Sequence, residues 1–367
     1  MDTNSENKNI SDELKCTGCG AILKFKPGTH HLTCTHCGAE NIIEQSTETI
    51  EEIEFEKFIS TQYEKEEKIE VVSVKCPACG AAITLEPNVT SDQCPYCSSN
   101  IVVESGSTST VLKPKSLLPF AVTKQKAVES FKTWIHKLWF APSDLKQKAA
   151  KGKLDGIYVP YWTYDANTGT SYTGARGTYY YVTETYTTTE NGQTVTKTRQ
   201  VRRTSWTSTS GHVSNTFDDI LVIASKSLPE KYTQKLEPWH LKDLVPYNDK
   251  YLSGFRGESY QVDIVEGLGI AKDRMVPVIR TTIHRDIGGD EQRIHSMNTT
   301  YNNITFKHIL LPIWISSYRY KDKLYRFLIN GQTGEVQGER PYSAIKIILA
   351  VLAVIAVIAL VIILLNQ

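Results

Sequence analysis

The residues whose types and spacing most directly prescribe chemistry in this sequence are its eight cysteines. They form four Cys-x-x-Cys pairs: two in "CTGCGAILKFKPGTHHLTCTHC" (16–37) and two in "CPACGAAITLEPNVTSDQCPYC" (76–97), with fourteen residues between the pairs of each module. A Cys-x-x-Cys knuckle aims two sulfurs at one point. Two knuckles at about this spacing supply the four thiolates that Zn²⁺ takes tetrahedrally. The expected ligands are Cys16, Cys19, Cys34 and Cys37 for one ion and Cys76, Cys79, Cys94 and Cys97 for a second, giving two Zn²⁺ per chain. The competing chemistry is a disulfide framework, which belongs to oxidising compartments. The opening "MDTNSENKNISDELK" is polar throughout and does not read as a signal peptide. Reduced thiolates in a cytosolic environment are therefore expected.

A second candidate site is basic. Residues 191–217 carry Lys197, Arg199, Arg202 and Arg203 and no acid. On a strand, Lys197, Arg199, Val201 and Arg203 share one face, because side chains alternate with period two. That face is a candidate contact for anions or lipid headgroups, each charge contributing about 1 kcal/mol near an anionic surface. A solvated hairpin tip is the plainer alternative.

Catalytic signals are poor. No Gly-x-x-x-x-Gly-Lys-Ser/Thr loop offers a phosphate cradle, and "GLGIAKD" (267–273) has only part of a dinucleotide pattern. His136, His240, His284, His295 and His308 are scattered singly. No catalytic residue is assigned, and a non-enzymatic protein is expected. The Pro-aromatic clusters at Phe120, Trp162 and Trp314 read as core, with a ligand pocket as the minority alternative.

From Ile347 to Leu365 the chain is apolar without a charge, about the 20 residues needed to cross ~30 Å of hydrocarbon. This predicts a single transmembrane helix acting as a C-terminal tail anchor. Arg340 and Lys346 precede it, so the positive-inside rule places the N-terminal domains in the cytoplasm, at the cell membrane.

The elements that must position these residues follow from periodicity. An internal repeat at offset sixty relates Lys15–Glu44 to Lys75–Glu104, with nine identities: Lys15/Lys75, the four cysteine pairs, Gly20/Gly80, Ala21/Ala81, Pro27/Pro87 and Glu44/Glu104. The expected organisation is a disordered start (1–14), zinc ribbon 1 (15–44), an acidic helical spacer (45–74), zinc ribbon 2 (75–104), a flexible "SGSTST" linker (105–110), an α+β domain (111–342) and the anchor (343–367). Ile50, Ile53 and Phe58 give the spacer its helix-like spacing. It reads as a solvated helix or as a docking surface for a basic partner.

Within the α+β domain, "SLLPFAV" predicts a strand. A helix follows from Thr123, with the stripe Ala127, Phe131, Trp134, Ile135 and Leu138. Residues 154–225 are dense in Tyr, Thr and Val, and Asn191-Gly192 predicts a type I′ hairpin turn. A helical stretch at 260–284, strands at 292–306 and 308–320, and a hairpin ending "NGQTGEVQG" complete an α+β fold on an antiparallel sheet. "VPYWTYD" and "LPIWISSYRY" share Pro-x-Trp, an echo of two related halves or a coincidence.

Zinc ribbons often bind nucleic acid, which calls for basic and aromatic ribbon surfaces. The first ribbon offers Lys15, Lys24 and Lys26 with His30, His31 and His36; the second adds Glu86 and Asp92 to Lys75. Residues 44–74 carry ten Glu against three Lys, a charge that repels phosphate. With a net charge of +1 the whole chain supplies no field to recruit DNA. Nucleic acid is an unlikely partner on these grounds.

The order of these parts resembles the YdjG-like bacterial zinc-ribbon membrane proteins, often labelled TFIIB-type zinc ribbon-containing. The likeness rests on the Cys-x-x-Cys pairs, "LLPFAV" with "FKTWIHKLWFAP", "LDGIYVPYWTYD", "LEPWHLKDLVPY", "YLSGF", "ILLPIWISSYRY" and "NGQTGEVQGERP". The resemblance implies a membrane-associated adaptor working beside phage-shock-type or SPFH-type membrane-stress proteins. The doubled ribbon departs from single-ribbon members. Some relatives carry a primosomal DNA helicase label, for which this sequence has no nucleotide loop. The expected function is a tail-anchored adaptor recruiting protein partners to the membrane; a membrane-tethered nucleic-acid binder is the alternative.

Overall fold

The computed structural model describes residues 14–44, 49–63, 68–84, 91–97, 99–102, 107–143, 145, 154–190, 192–321 and 323–365. The start expected to be disordered lies almost wholly outside these residues. The fold is α+β on antiparallel sheets.

The first ribbon is a three-stranded sheet, β1 (Leu23–Phe25), β2 (His31–Cys34) and β3 (Glu40–Ile42). Alternation sends Leu23, Phe25, Leu32 and Cys34 to one buried side. Next comes β4 (Ile53–Glu54), paired with Thr305 and Phe306, then a helical turn at Phe55–Lys57 and a π turn at Phe58–Gln62. Among its described residues, 49–63 and 68–74, the acidic spacer is thus helical only over 55–62. Its apolar residues dock it: Phe58 is 1% exposed and its ring meets Phe306 at 4.9 Å.

The second ribbon comprises β5 (Lys68–Lys75), β6 (Ala82–Thr84), β7 (Ser91–Gln93), β8 (Asn100–Val102) and β9 (Ser107–Leu112). Residues 107–110, expected to be a flexible linker, lie in β9, which pairs antiparallel with β5 from Lys68↔Leu112 to Ser73↔Ser107. Ser and Thr read as linker by composition, yet Thr is a good strand former once a partner strand is present.

The body opens with β10, which covers only Ser116–Leu117. Pro119 has no N–H to extend it, and the N–H groups of Ala121 and Val122 both donate to the Gly331 carbonyl. Helix α1 (Lys124–His136) starts where Thr123 caps it through a bond from the Lys126 N–H, and it buries Ala127, Phe131 and Ile135. Two very long strands, β11 (Leu154–Glu190) and β12 (Gln193–Ile223), form the expected hairpin with Gly192 at φ 78°. Short β13 (Val245–Pro246) and β14 (Arg256–Gly257) precede helix α2 (Ile264–Ile287). The partial dinucleotide pattern falls inside α2, where Gly267 lets the helix approach Tyr164.

Strand β15 (Glu291–Tyr320) is continuous where two strands were expected, with a register shift near Asn303 at φ 51°. β16 (Lys323–Asn330) and β17 (Val336–Gly338) lead to α3 (Ala344–Leu365). Helix α3 is long and apolar enough to cross a membrane, and none of it is buried.

The main sheet has the order β12-β11-β15-β10-β13. Its two faces separate by parity. Tyr158, Leu310 and Trp314 join a core with the first ribbon and α1, whereas Ile157, Val159, Leu311 and Ile313 join a core with the second ribbon. Helix α2 covers Trp162, Tyr164 and Tyr172 further along the first of these faces. Phe120, Trp162 and Trp314 are core residues, as expected.

β11 and β12 outrun the rest of the sheet. β15 pairs β11 only as far as Gly177↔Glu291, while β12 continues to Glu190↔Gln193. Residues 178–190 and 193–205 therefore form a two-stranded arm, about 40 Å long at about 3.3 Å per residue.

Candidate metal centres

Three of the four knuckles, those opening at Cys16, Cys34 and Cys76, are built by the same local bonds. The Gly20 N–H donates to the Cys16 carbonyl at 2.8 Å and the Cys16 N–H to the Ala21 carbonyl at 2.7 Å. Gly38 with Cys34 and Gly80 with Cys76 repeat the pattern at 3.0 and 2.8 Å. These glycines sit at φ 72°, 75° and 76°, the left-handed region that a side chain resists. The turn folds back hard enough to bring the second cysteine beside the first.

The result is two groups of four cysteines, each with its sulfurs within 4.8 Å of one another. Cys16 and Cys37 Sγ are 3.5 Å apart, as are Cys19 and Cys34. In the second group Cys76–Cys97 is 3.6 Å and Cys79–Cys94 is 3.7 Å. A disulfide requires about 2.05 Å, and all eight cysteines are free. A tetrahedral ion with bonds of about 2.3 Å requires sulfur–sulfur edges of about 3.8 Å. The residues therefore fit a metal ion, with dimensions consistent with zinc.

In each set the thiols split. N–H groups of Cys37 and His36 lower the Cys34 thiol to about 6 and those of Gly18 and Cys19 lower Cys16, while neighbouring sulfurs raise Cys19 and Cys37. In the second set burial pushes Cys79 up to about 11 and Cys94 further, while bonds with Ser99 help hold Cys97 down at about 7. Negative charge there calls for a compensating cation.

Both ribbons are seated on one segment of the body, residues 251–258, which the resemblance marks only as "YLSGF". For the first ribbon, the Phe25 N–H donates to the Ser253 carbonyl at 3.0 Å and Ser253 Oγ to the Leu23 carbonyl at 2.6 Å. The Gly28 N–H reaches the Phe120 carbonyl at 2.8 Å, and the Phe25 ring meets Tyr251 edge-on at 5.1 Å. For the second, Arg256 donates to the Gln93 carbonyl at 3.1 Å, and Tyr96 donates to Glu258 at 2.7 Å. Glu258 is buried and also accepts from Ser225 at 2.7 Å and Gln261 at 2.8 Å. Burial pushes its carboxyl up to about 7 against these donors. β14 pairs with Ile157 and Tyr158 of β11, so the segment borders both faces of the sheet. Sequence reasoning missed Glu258. The aromatic residue inside the last knuckle, Tyr96, is the signal that pointed towards a buried partner.

The sequence of a Bacillus subtilis (strain 168) protein, "Uncharacterized protein YdjG", is similar to this chain, 26% identical over 341 residues, covering 91% of each. The likeness supports the YdjG-like resemblance and carries no detail of metal or membrane. No family model matches the chain. No solved structure matches it either.

The other sequence candidates are placed as follows. Lys197 pairs with Glu190, while Arg199 and Arg203 both pair with Glu184, at 3.3 and 2.7 Å. Arg202 stacks over the Tyr179 ring at 4.2 Å. The four cations all lie on the arm, three of them in ion pairs across the hairpin. His308 is buried beside Trp162 and Tyr260, its ring driven down to about 3 by burial. Among the described residues no metal-competent group includes a histidine. A third acidic group, Glu52, Asp165 and Asp218, is flanked by Lys307, whose ammonium lies 3.2 Å from Glu52 and 2.8 Å from Asp219. Its ion pair to Glu52 ties the spacer to the sheet.

Proposed function

We propose that the protein is a non-enzymatic adaptor, anchored in a membrane by α3, braced by two zinc ions and presenting its β11–β12 arm to a protein partner in the cytoplasm. The arm carries this reading. It exposes Tyr180, Tyr181 and Tyr186, residues that supply large amphipathic contact area. It also projects from the end of the sheet opposite the anchor. The loop that receives α3 packs in the core with Leu154, the first residue of β11, while the arm ends at Glu190. That is a path of about 120 Å along the strand. The basic face is thus carried away from the bilayer that holds α3, which argues against its lying on those headgroups.

Two further observations support an adaptor. Each four-sulfur set is closed, leaving an ion no open position for substrate. The ribbons are fixed to the body, so they brace the sheet and are not free docking knobs. The reduced cysteines, with Arg340 and Lys346 before α3, favour a cytoplasmic domain. By resemblance, membrane-stress proteins of SPFH or phage-shock type are the partners to test.

The test is affinity purification of the tagged full-length protein from detergent-solubilised membranes, beside a variant whose residues 181–202 are replaced by an Asn-Gly turn. The adaptor reading expects a protein partner retained by the wild type and lost from the shortened arm. Identical proteins from both forms would sink it. Nucleic acid recovered through the ribbons would favour the tethered nucleic-acid reading.

A further inference from the structure

The first turn of α3 does not leave the domain freely. The Ser343 N–H donates to the Phe140 carbonyl at 2.7 Å. Lys346 Nζ donates to the Trp139 carbonyl at 3.3 Å and the Ala141 carbonyl at 2.8 Å. These bonds clamp the loop after α1, about 200 residues earlier in the chain, against the point where the apolar helix begins. Leu138 and Ala141 of that loop are buried, but its aromatic side chains face outward: Trp139 is 83% exposed and Phe140 43%, with Tyr342 60% exposed beside them. A large indole left this bare is uncommon on a soluble surface, whereas Trp and Tyr concentrate at the headgroup level of membranes.

The charge agrees. Residues 132–143 and 340–346 contain Lys132, Lys137, Arg340 and Lys346 and no acid. Lys137, Trp139 and Lys346 line a groove of about 500 Å³ with His136 and Pro142. The patch therefore combines an aromatic wedge with Lys137 and Lys346, immediately before the uncharged apolar helix begins at Ile347.

We infer that the Lys137–Pro142 loop and the first turn of α3 form a contact for anionic phospholipid headgroups, with Trp139 and Phe140 inserted at the interface. The inference rests on the reading of α3 as a membrane span. Its consequence is orientation: two attachments, helix and loop, fix the tilt of the domain on the bilayer, where a helix alone would leave it free to swing. The occupant is lipid because the patch is continuous with the helix that would enter lipid, and because its charge matches anionic headgroups.

The test uses the full chain reconstituted in vesicles of phosphatidylcholine, with or without phosphatidylglycerol, and bromine-labelled acyl chains as a fluorescence quencher. Quenching of tryptophan should be greater in the wild type than in Trp139→Phe, and greater when phosphatidylglycerol is present. Changing Lys132 and Lys137 to Gln should lower the docked-to-undocked ratio roughly thirtyfold, from about 1 kcal/mol per lysine. No Trp139-dependent quenching, in protein that resists extraction by alkaline carbonate, overturns the loop contact. Equal quenching in both lipids overturns the assignment to anionic headgroups. Release of the wild type by carbonate overturns the membrane span itself, and this inference with it.

Discussion

The two ribbons have the same cysteine frame, yet they meet the body differently. In the first, Cys19 and Cys37 are exposed and the seat is made of backbone bonds and aromatic rings. In the second, Cys76, Cys94 and Cys97 are buried and the seat contains a buried carboxylate. The repeat offset places His36 of the first copy where Tyr96 stands in the second. That exchange gives the second ribbon its bond to Glu258. The comparison teaches that the cysteines specify a centre, while the residues between them specify which face of the sheet it covers. Duplication has a structural reason here: one sheet has two faces.

The sharpest way to break the comparison is to remove each centre in turn. Cys76→Ser with Cys79→Ser should unfold the body as well as the ribbon, since structural zinc supplies on the order of 10 kcal/mol and this centre, with three buried cysteines and the buried Glu258 beneath it, cannot come apart without opening the core. Cys16→Ser with Cys19→Ser should lower Tm but leave a cooperative transition. Circular dichroism of the detergent-solubilised chain, with elemental analysis reading two zinc ions in the wild type and one in each variant, checks both. Equal effects would refute the distinction.

Next in size is Phe25→Ala, which leaves a hole against Tyr251 and Phe255 and should cost about 3–5 kcal/mol. Denaturant midpoints would measure it. A cost below about 1 kcal/mol would mean the first ribbon is only loosely seated.

Glu258 gives a pH signature peculiar to the second seat. Its folded value, about 7, is raised by burial above the ordinary 4.5, so the folded state binds this proton more tightly than the unfolded. Stability should fall as pH rises from about 4.5 to about 7, by up to about 3 kcal/mol at about 1.4 kcal/mol per unit. Glu258→Gln should remove that slope, and the difference between the two pH profiles is the measurement. The smallest effect belongs to the arm: replacing residues 181–202 by a two-residue turn should change stability by less than about 0.5 kcal/mol, because that surface packs on little else.

Much of the local structure was legible in the sequence. The knuckles, the Thr123-capped helix, the Asn-Gly hairpin and the apolar α3 are each encoded within a few residues, and the structure has all four. What was hidden depends on distant partners. Residues 107–110 become strand only because β5 lies beside them, and Ile53 and Phe58 leave helical spacing because Phe306 takes them up. The grouping of the eight cysteines into two sets of four was readable in the sequence, while the seat of each set was not. Tyr96 signals only that a buried partner is needed; nothing beside it names Glu258, 162 residues further on. The expected flexible linker fails for the same reason over its described part, residues 107–110.

The seat shared by both ribbons also sets an order of events during synthesis. Cys37 completes the first thiolate set 214 residues before Tyr251 is made. At roughly 5–20 residues per second that is a wait of roughly 10–40 s. During that time the first ribbon has no body to dock on, and its apolar side, Leu23, Phe25 and Leu32, faces water. The four sulfurs of the first ribbon are thus all made well before its seat, and the second ribbon, sixty residues later in the chain, waits on the same segment. The body closes on either piece only after β15, the middle strand of the main sheet, has followed residues 251–258 out of the ribosome.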